Sequence, residues 1–446
     1  MSKRTMLEDR LQIVSLAEAG WSDPQMAKQT GWSVHTVRKW RRRGQRQGRA
    51  GLASPMGRPA KGPLSTYPAN IRHTLKTLRE AHPGWGAKTL RVELERDAHL
   101  VGQAPPSVAS IERFLKAEGL SRVYEKHHEL PEPDRQPAEQ PHEVWEMDAR
   151  GYSKIPEAGV ISLVNLNDRC SHARLLSYPV WVGRQRCSRH PDTEDYQTAL
   201  RLAFTDWGLP GQLQVDHESV FVDNISKSPF PTRLHLWLVA LNVGLIFGRR
   251  SRPTDQGLTE RSHQLWAGQC LAGQHFADWD HLYQTLHERR DVLNYDLPCA
   301  SLDNQPPLVA FPDASHSGRN YRPEWEHDLL DLSHVWNYLA QGRWYRKTSK
   351  DYTFSLGGHV YYIGKPWQLV QLEITFDPSD QHLVCLDEVG ELAARYPIKG
   401  LTLDALMGTM ATYINLPMFQ LALPFDWADF QPVRLFEGIS VRLNDG

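Results

Sequence analysis

The stretch Glu143-Val-Trp-Glu-Met-Asp148, followed by the apolar run Val160-Ile-Ser-Leu-Val-Asn-Leu166, decides the fold class of this chain. Both stretches are rich in the β-branched and large apolar residues that are typical of strands. Between residues 143 and 300, runs of this kind alternate with helical segments in the order β-β-β-α-β-α-β-α. This order predicts an α/β core built on a mixed sheet.

Three acidic residues lie at strand ends or at a helix start in this region. Asp148 closes the first stretch, Asp216 follows the short strand Leu213–Val215, and Glu260 opens a helix. Carboxylates in such positions can converge at one edge of a sheet and hold divalent cations, as two-metal nucleic-acid enzymes require. Each acid alone would more often be a capping or surface residue, and only the three together indicate a site.

The first 61 residues are strongly basic, with thirteen Lys and Arg, four Asp and Glu and a net charge of +9 on a chain whose total is −1. Two helices, at roughly 24–30 and 34–43, are predicted across the turn Gly31-Trp-Ser33, which is the helix-turn-helix pattern. We expect the second helix and the basic arm after it to contact DNA. The alternative is a helical module with a solvated basic face. The predicted contact residues are His35, Thr36, Arg38, Lys39, Arg41, Arg42, Arg43 and Arg58.

Changes in composition predict a multidomain chain. Helical spacing predicts a second DNA-binding module, for which a structural spacer is the alternative, and regularly spaced short strands with glycine turns predict a small β-barrel. The predicted segments are a helix-turn-helix domain at 1–45, a basic arm at 46–65, a second helical module at 66–124, a proline-rich linker at 125–142, the α/β core at 143–312, a connector at 313–342, the β-barrel at 343–400 and an acidic tail at 401–446.

Composition argues against several other classes of protein. The five cysteines are scattered and form no C-x-x-C pair, so neither a zinc finger nor a disulfide framework is expected. The apolar runs are far shorter than the about 18 residues that a membrane span needs. The N-terminus shows no signal-peptide pattern, and we therefore expect a cytoplasmic protein without a membrane partner.

The chain resembles the DDE transposases of bacterial insertion sequences, which carry a retroviral-integrase-type catalytic core. The first two of that family's three acidic signatures are similar to Trp145-Glu-Met-Asp148 and Val215-Asp-His-Glu-Ser-Val-Phe221, and the third is similar to Pro253-Thr-Asp-Gln-Gly-Leu-Thr-Glu-Arg261. His82-Pro-Gly-Trp-Gly-Ala87 is similar to part of the family's second helical module. The final barrel resembles the one shared with phage Mu transposase relatives, so the resemblance covers most of the chain.

The resemblance implies an RNase H-like core with a five-stranded mixed sheet. It implies that Asp148, Asp216 and Glu260 are catalytic and hold two Mg²⁺ ions, with Mn²⁺ as a substitute, and that Arg261 and His263 support them. The implied activity is cleavage at the 3′ end of the element and strand transfer into target DNA. Implied partners are double-stranded DNA, at least one further copy of the chain and an accessory targeting ATPase, in the bacterial cytoplasm and associated with the nucleoid.

This chain departs from the family pattern beside the second aspartate. The family usually has asparagine and glycine there, whereas this chain has His217 and Glu218. The spacing from Asp216 to Glu260 is also long, which predicts an insertion around Asp223–Pro231. Two alternatives therefore stay open: a catalytically impaired, transposase-derived repressor that binds DNA, and a ribonuclease of the same fold, which leaves the basic modules unexplained.

Overall fold

The computed structural model describes residues 5–53, 62–100, 102–121, 138–155, 159–183, 189–224, 226–248 and 257–410. The chain divides into two compact units, Met1–Thr66 and Tyr67–Gly446. The predicted contact residue Arg58, residues 125–137 of the predicted proline-rich linker and residues 411–446 of the predicted acidic tail lie outside the described residues.

The first unit is a three-helix module. Its helices are α1 (Leu7–Glu18), α2 (Asp23–Thr30) and α3 (Val34–Gln47). Gly31 ends α2 with a φ of +72°, which favours glycine, and the Ser33 hydroxyl accepts a hydrogen bond from the Thr36 backbone N–H and so caps α3. The apolar core of this unit consists of Ile13, Val14, Met26, Val37, Trp40 and Leu52. The predicted helix-turn-helix is therefore present.

The second unit begins with another helical module, which contains α4 (Ala69–Ala81), α5 (Ala87–Arg96) and α6 (Val108–Ala117). Ser107 caps α6 by accepting a hydrogen bond from the Ser110 backbone N–H. The apolar residues that recur at helical spacing face inward, and the fully buried ones are Leu75, Leu90 and Ile111.

A five-stranded mixed sheet forms the centre of the second unit. The order is β3-β2-β1-β4-β5; β2 is antiparallel to both β1 and β3, whereas β4 is parallel to β1 and β5 is parallel to β4. This confirms the mixed sheet predicted from the sequence. The strands are β1 (Val144–Ile155), β2 (Gly159–Asp168), β3 (Arg174–Gly183), β4 (Gln212–Val215) and β5 (Gly244–Phe247).

Four helices accompany this sheet. They are α7 (Thr193–Trp207), α8 (Arg233–Ala240), α9 (Gly257–Trp266) and α10 (Trp279–Asp291). The carboxylate of Asp192 caps α7 by accepting hydrogen bonds from the backbone N–H groups of Glu194 and Asp195. A π-helical turn, Ala267–Leu271, directly continues α9, and a second one, Val292–Asp296, continues α10. Every described helix is too short or too polar to cross a lipid bilayer.

The region after the core contains short helices and then two small antiparallel sheets. The helices are α11 (Pro307–Ala310), α12 (Glu326–Leu329), α13 (Leu332–Ala340) and α14 (Leu403–Met407). The strands are β6 (Trp344–Lys347), β7 (Thr353–Leu356), β8 (His359–Tyr362), β9 (Gln371–Asp377), β10 (His382–Leu386) and β11 (Leu392–Pro397).

The predicted barrel is not confirmed, although all six of its strands are present. Strands β11-β10-β9-β6 form one sheet, whereas β7 and β8 form a separate hairpin. Because β6 pairs with β9 and bypasses the intervening hairpin, the two sheets do not join into one closed cylinder.

A buried polar cluster links the core to this later region. Glu326 on α12 is fully buried and accepts two hydrogen bonds at 2.7 Å from the Arg201 guanidinium on α7. The Trp237 indole on α8 and the Tyr321 hydroxyl also donate to this carboxylate. Arg201 in addition donates to the Met407 carbonyl oxygen on α14, so one ion pair connects four parts of the second unit.

Candidate metal centre and nucleic-acid interface

Two of the three predicted catalytic acids lie at one edge of the mixed sheet. Strands β1 and β4 are parallel neighbours, with Glu146 opposite Gln214. Asp148 and Asp216 each lie two residues beyond that pair. The register of the two strands therefore carries both carboxylates to the same edge, because side chains two residues apart on a strand point to the same face.

A third carboxylate, that of Glu218, completes an acidic cluster with these two aspartates. Ligand oxygens of Asp148, Asp216 and Glu218 all lie within 4.8 Å of one another. The Glu218 backbone N–H donates to an Asp216 carboxylate oxygen at 2.9 Å, which folds the chain back after β4. The Tyr196 hydroxyl on α7 donates to Glu218 Oε2 at 2.6 Å and orients that side chain.

Burial raises the pKa values of Asp216, Glu218 and Tyr196. Desolvation raises the pKa of Asp216 above its ordinary value, although the Glu218 backbone N–H opposes the change. Desolvation likewise raises the pKa of Glu218; the nearby Asp216 charge adds to this rise and the Tyr196 hydrogen bond opposes it. The Tyr196 pKa is also raised, first by burial and then by the charge of Glu218. A divalent cation would relieve this unfavourable concentration of negative charge.

The chemistry of the donor atoms fits a hard divalent cation. The three groups offer only carboxylate oxygens, which Mg²⁺ and Mn²⁺ prefer, and a site with few protein ligands leaves positions for DNA oxygens. All three side chains are partly exposed, so the site is open to a large ligand.

The remaining predicted site residues lie on helix α9. The backbone of Glu260 is in the first turn of this helix, and its side chain is outside the described part of the structure. His263 Nε2 lies 3.8 Å from Asp148 Oδ2, whereas Arg261 is exposed. The Ser262 hydroxyl donates to Asn167 Oδ1 at 2.9 Å and thereby connects α9 to strand β2.

Sequence reasoning noted Glu218 only as a departure from a family pattern and did not detect Tyr196. A tyrosine on an amphipathic helix carries no sequence signal for a partner 22 residues away. Two other acids lie outside the acidic cluster: Asp168 is the last residue of β2, and Asp223 lies in the loop after β4. Asp168 is fully buried and accepts hydrogen bonds from the backbone N–H groups of His142 and Ser171.

The predicted DNA-contact residues that the structure describes are all on α3. His35, Arg38, Lys39 and Arg42 are exposed, and the others are partly buried. Asp23 on α2 lies 3.1 Å from Arg38 Nε and 2.8 Å from Arg41 Nε, so two of the predicted contacts are paired within the module. The guanidinium of Arg43 and the ammonium of Lys39 lie near the Trp40 ring, at 5.6 and 5.7 Å from its centre. The helix presents a basic surface suited to phosphate contact.

Comparison with known families and structures bears on both regions. Residues 7–53 match the family model described as a homeodomain-like domain. No curated protein matches the chain. Two solved structures similar to the central part are the catalytic core domain of BIV integrase (13% identity, 39% of this chain and 95% of that one, TM-score 0.27) and the HTLV-2 integrase catalytic core domain in complex with magnesium (14% identity, 38% and 96%, TM-score 0.26).

A third similar structure is a chain of the simian T-cell lymphotropic virus intasome in complex with PP2A regulatory subunit B56 gamma, with 12% identity over 73% of this chain and 96% of that one and a TM-score of 0.30. At these scores the similarity does not define an activity for this chain. The homeodomain-like match covers the helix-turn-helix module, and the acidic cluster lies at one edge of the mixed sheet.

Proposed function

We propose that this chain is a DNA transposase that binds the ends of a mobile element and catalyses Mg²⁺-dependent 3′-end cleavage and strand transfer. The observation that carries the proposal is the convergence of Asp148, Asp216 and Glu218 within 4.8 Å at one edge of the mixed sheet. The basic helix α3, on the homeodomain-like module, supplies a DNA-binding surface in the same chain.

The acidic residues would together bind two Mg²⁺ ions. Asp148, on the central strand β1, together with Asp216 and Glu260 would hold these ions. Bound divalent ions would stabilise charge on the attacking and leaving oxygens of the phosphodiester. Glu218, held by Tyr196, adds a third negative charge beside Asp216, and His263 lies beside Asp148.

Protein–DNA contacts would align the reacting groups. In this proposal the exposed cations of α3 hold element DNA by its phosphates, and His35 and Thr36, in the first turn of the helix, face base edges. Two element ends must be held together for transposition, so the active form is at least a dimer on DNA. An accessory targeting ATPase and a location in the bacterial cytoplasm, associated with the nucleoid, remain predictions from the sequence resemblance.

The test is cleavage and joining of labelled duplexes that carry the inverted repeats flanking the coding region, in the presence of Mg²⁺ or Mn²⁺. Nicked and joined products are expected for the natural chain, and Asp148→Asn should abolish both while DNA binding persists. Asp280→Asn, which neutralises an exposed acid in the first turn of α10, is the matched control and should remain active.

Cleavage by the Asp148→Asn protein would refute the assignment of this site. If the natural chain binds the repeats but neither nicks nor joins them under any condition, the alternative of a transposase-derived repressor would replace the proposal. The apparent mass of the protein–DNA complex tests the proposed dimer.

A further inference from the structure

The contact between the helical module of α4, α5 and α6 and the core includes one buried aromatic residue and one buried arginine. The Trp85 indole N–H donates to the Gln269 carbonyl oxygen at 3.0 Å, and the Arg289 guanidinium lies over the Trp85 ring at 4.5 Å. Trp85, Gln269 and Arg289 are all buried. The contact is therefore a desolvated anchor and not a loose surface encounter.

Polar contacts around this anchor are well matched. Arg289 donates twice to Gln269 Oε1, at 2.7 and 3.2 Å, and once to Glu93 Oε1 on α5. The Gln269 side-chain amide donates in turn to the Thr89 hydroxyl at 3.1 Å. Each of these buried groups thus has a partner across the contact, which sets one orientation of the module on the core.

Glycine allows the two backbones to approach each other closely. A Cβ atom on Gly84 would lie 1.8 Å from the Gly268 carbonyl oxygen, a distance that no side chain tolerates. A Cβ atom on Gly86, two residues later, would meet nothing within 4 Å, and its φ of −81° suits any residue. Only the first of these two glycines is required by the contact.

The core side of the contact is the helix that bears a predicted catalytic residue. Gln269 and Gly268 belong to the π-helical turn Ala267–Leu271, which directly continues α9, and α9 carries Glu260 and His263. The same helix is held to the sheet by the bond from Ser262 to Asn167. The docked module therefore contacts the end of α9 that continues into the π-helical turn, and the sheet contacts the middle of α9.

We propose that this module is a positioning element for the metal site: by docking Trp85 between Gln269 and Arg289, it holds helix α9, which bears Glu260, and so keeps His263 beside Asp148. The inference rests on the proposed function and assigns the His82-Pro-Gly-Trp-Gly86 segment to docking on the core. DNA contact by this module would then be made by surfaces away from that segment, such as exposed Arg113 and Lys116 on α6.

The test compares Gly84→Ala with Gly86→Ala in the full chain. Hydrogen exchange followed by mass spectrometry reports docking, and Mn²⁺ binding followed by electron paramagnetic resonance reports the site. Gly84→Ala should speed hydrogen exchange in residues 87–96 and 257–271. It should also raise the Mn²⁺ concentration at the binding midpoint by about tenfold, which is the lower end of the loss in metal affinity when supporting contacts are removed. Gly86→Ala should match the natural chain.

Two further measurements separate positioning from general damage. High Mn²⁺ should restore nicking by the Gly84→Ala protein, a rescue that an unfolded core would not show. Trp85→Phe keeps an aromatic ring under Arg289 but removes the indole N–H. It should give a smaller increase in hydrogen exchange and in the Mn²⁺ midpoint, and it takes the place of Gly84→Ala in the test if Gly84→Ala does not fold.

The inference and the proposed function fail in different ways. Faster exchange confined to residues 87–96 with an unchanged Mn²⁺ midpoint would overturn the inference, as would unchanged exchange in both variants. If the natural chain shows no Mn²⁺ binding that depends on Asp148, the proposed metal site itself is wrong, whatever the exchange data show about docking.

Discussion

Neutralising Glu218 should stabilise the metal-free protein and weaken its metal binding at the same time. The change is Glu218→Gln, which preserves size and an oxygen that can accept the Tyr196 hydrogen bond. It removes one of three carboxylates whose ligand oxygens lie within 4.8 Å of one another. The two effects have opposite signs. The three like charges repel one another in the metal-free site, whereas a bound cation is attracted to all three.

The magnitude follows from the separation of the charges. Two unit charges at 4.8 Å repel by roughly 3.5 kcal/mol at an effective dielectric constant of about 20. Partial exposure and salt screening reduce this, and a net gain of about 1 kcal/mol is expected for the metal-free protein. For the second unit, Tyr67–Gly446, that corresponds to a rise in Tm of roughly 1 °C.

Thermal unfolding in EDTA and in a Mn²⁺ series measures both effects. Glu218→Gln should unfold at a higher temperature than the natural chain in EDTA, and its Mn²⁺ midpoint should be roughly tenfold higher or more. Asp280→Asn controls for loss of one negative charge elsewhere. An equal or lower Tm in EDTA, together with an unchanged Mn²⁺ midpoint, would refute the reasoning, because Glu218 would then neither repel the aspartates nor bind the ion.

Three other predictions follow from the described contacts. Because burial raises the pKa values of Asp216 and Glu218, the metal-free folded chain binds protons more tightly than the unfolded chain, and stability from this site is lost as pH rises through the raised pKa values. The Tm advantage of Glu218→Gln in EDTA should therefore grow as pH rises above the ordinary carboxyl range of about 4, and a constant advantage would contradict this expectation. Glu326→Leu should destabilise the second unit by about 3–5 kcal/mol in urea unfolding because it leaves Arg201 buried and unpaired, and adding Arg201→Met should recover most of that loss. Asp23→Asn should release Arg38 and Arg41 and steepen the salt dependence of duplex binding by roughly one to two in log–log slope, measured by fluorescence anisotropy; an unchanged slope would show that neither arginine reaches a phosphate.

Local sequence patterns were sufficient for most individual elements. The turn predicted at Gly31-Trp-Ser33, with its positive-φ glycine and its Ser33 cap, follows from short-range hydrogen bonding and backbone sterics, which depend on a few neighbouring residues. All six strands after residue 343 were also predicted. Their pairing was not, because β6 and β9 are separated by an entire hairpin and the choice between an open sheet and a closed barrel depends on long-range contacts.

The sequence by itself determined a basic helix-turn-helix, an α/β core and two aspartates that parallel strands bring to one edge. The reason is that the spacing of apolar residues, the charge and the order of the strands depend on local residue types. Only the tertiary structure decided that Glu218 joins those aspartates under the Tyr196 hydroxyl, and that Trp85 docks on Arg289 more than two hundred residues away. The physical reason is that a carboxylate or an indole takes its role from partners that folding brings near, and no local pattern specifies which distant side chains those partners are.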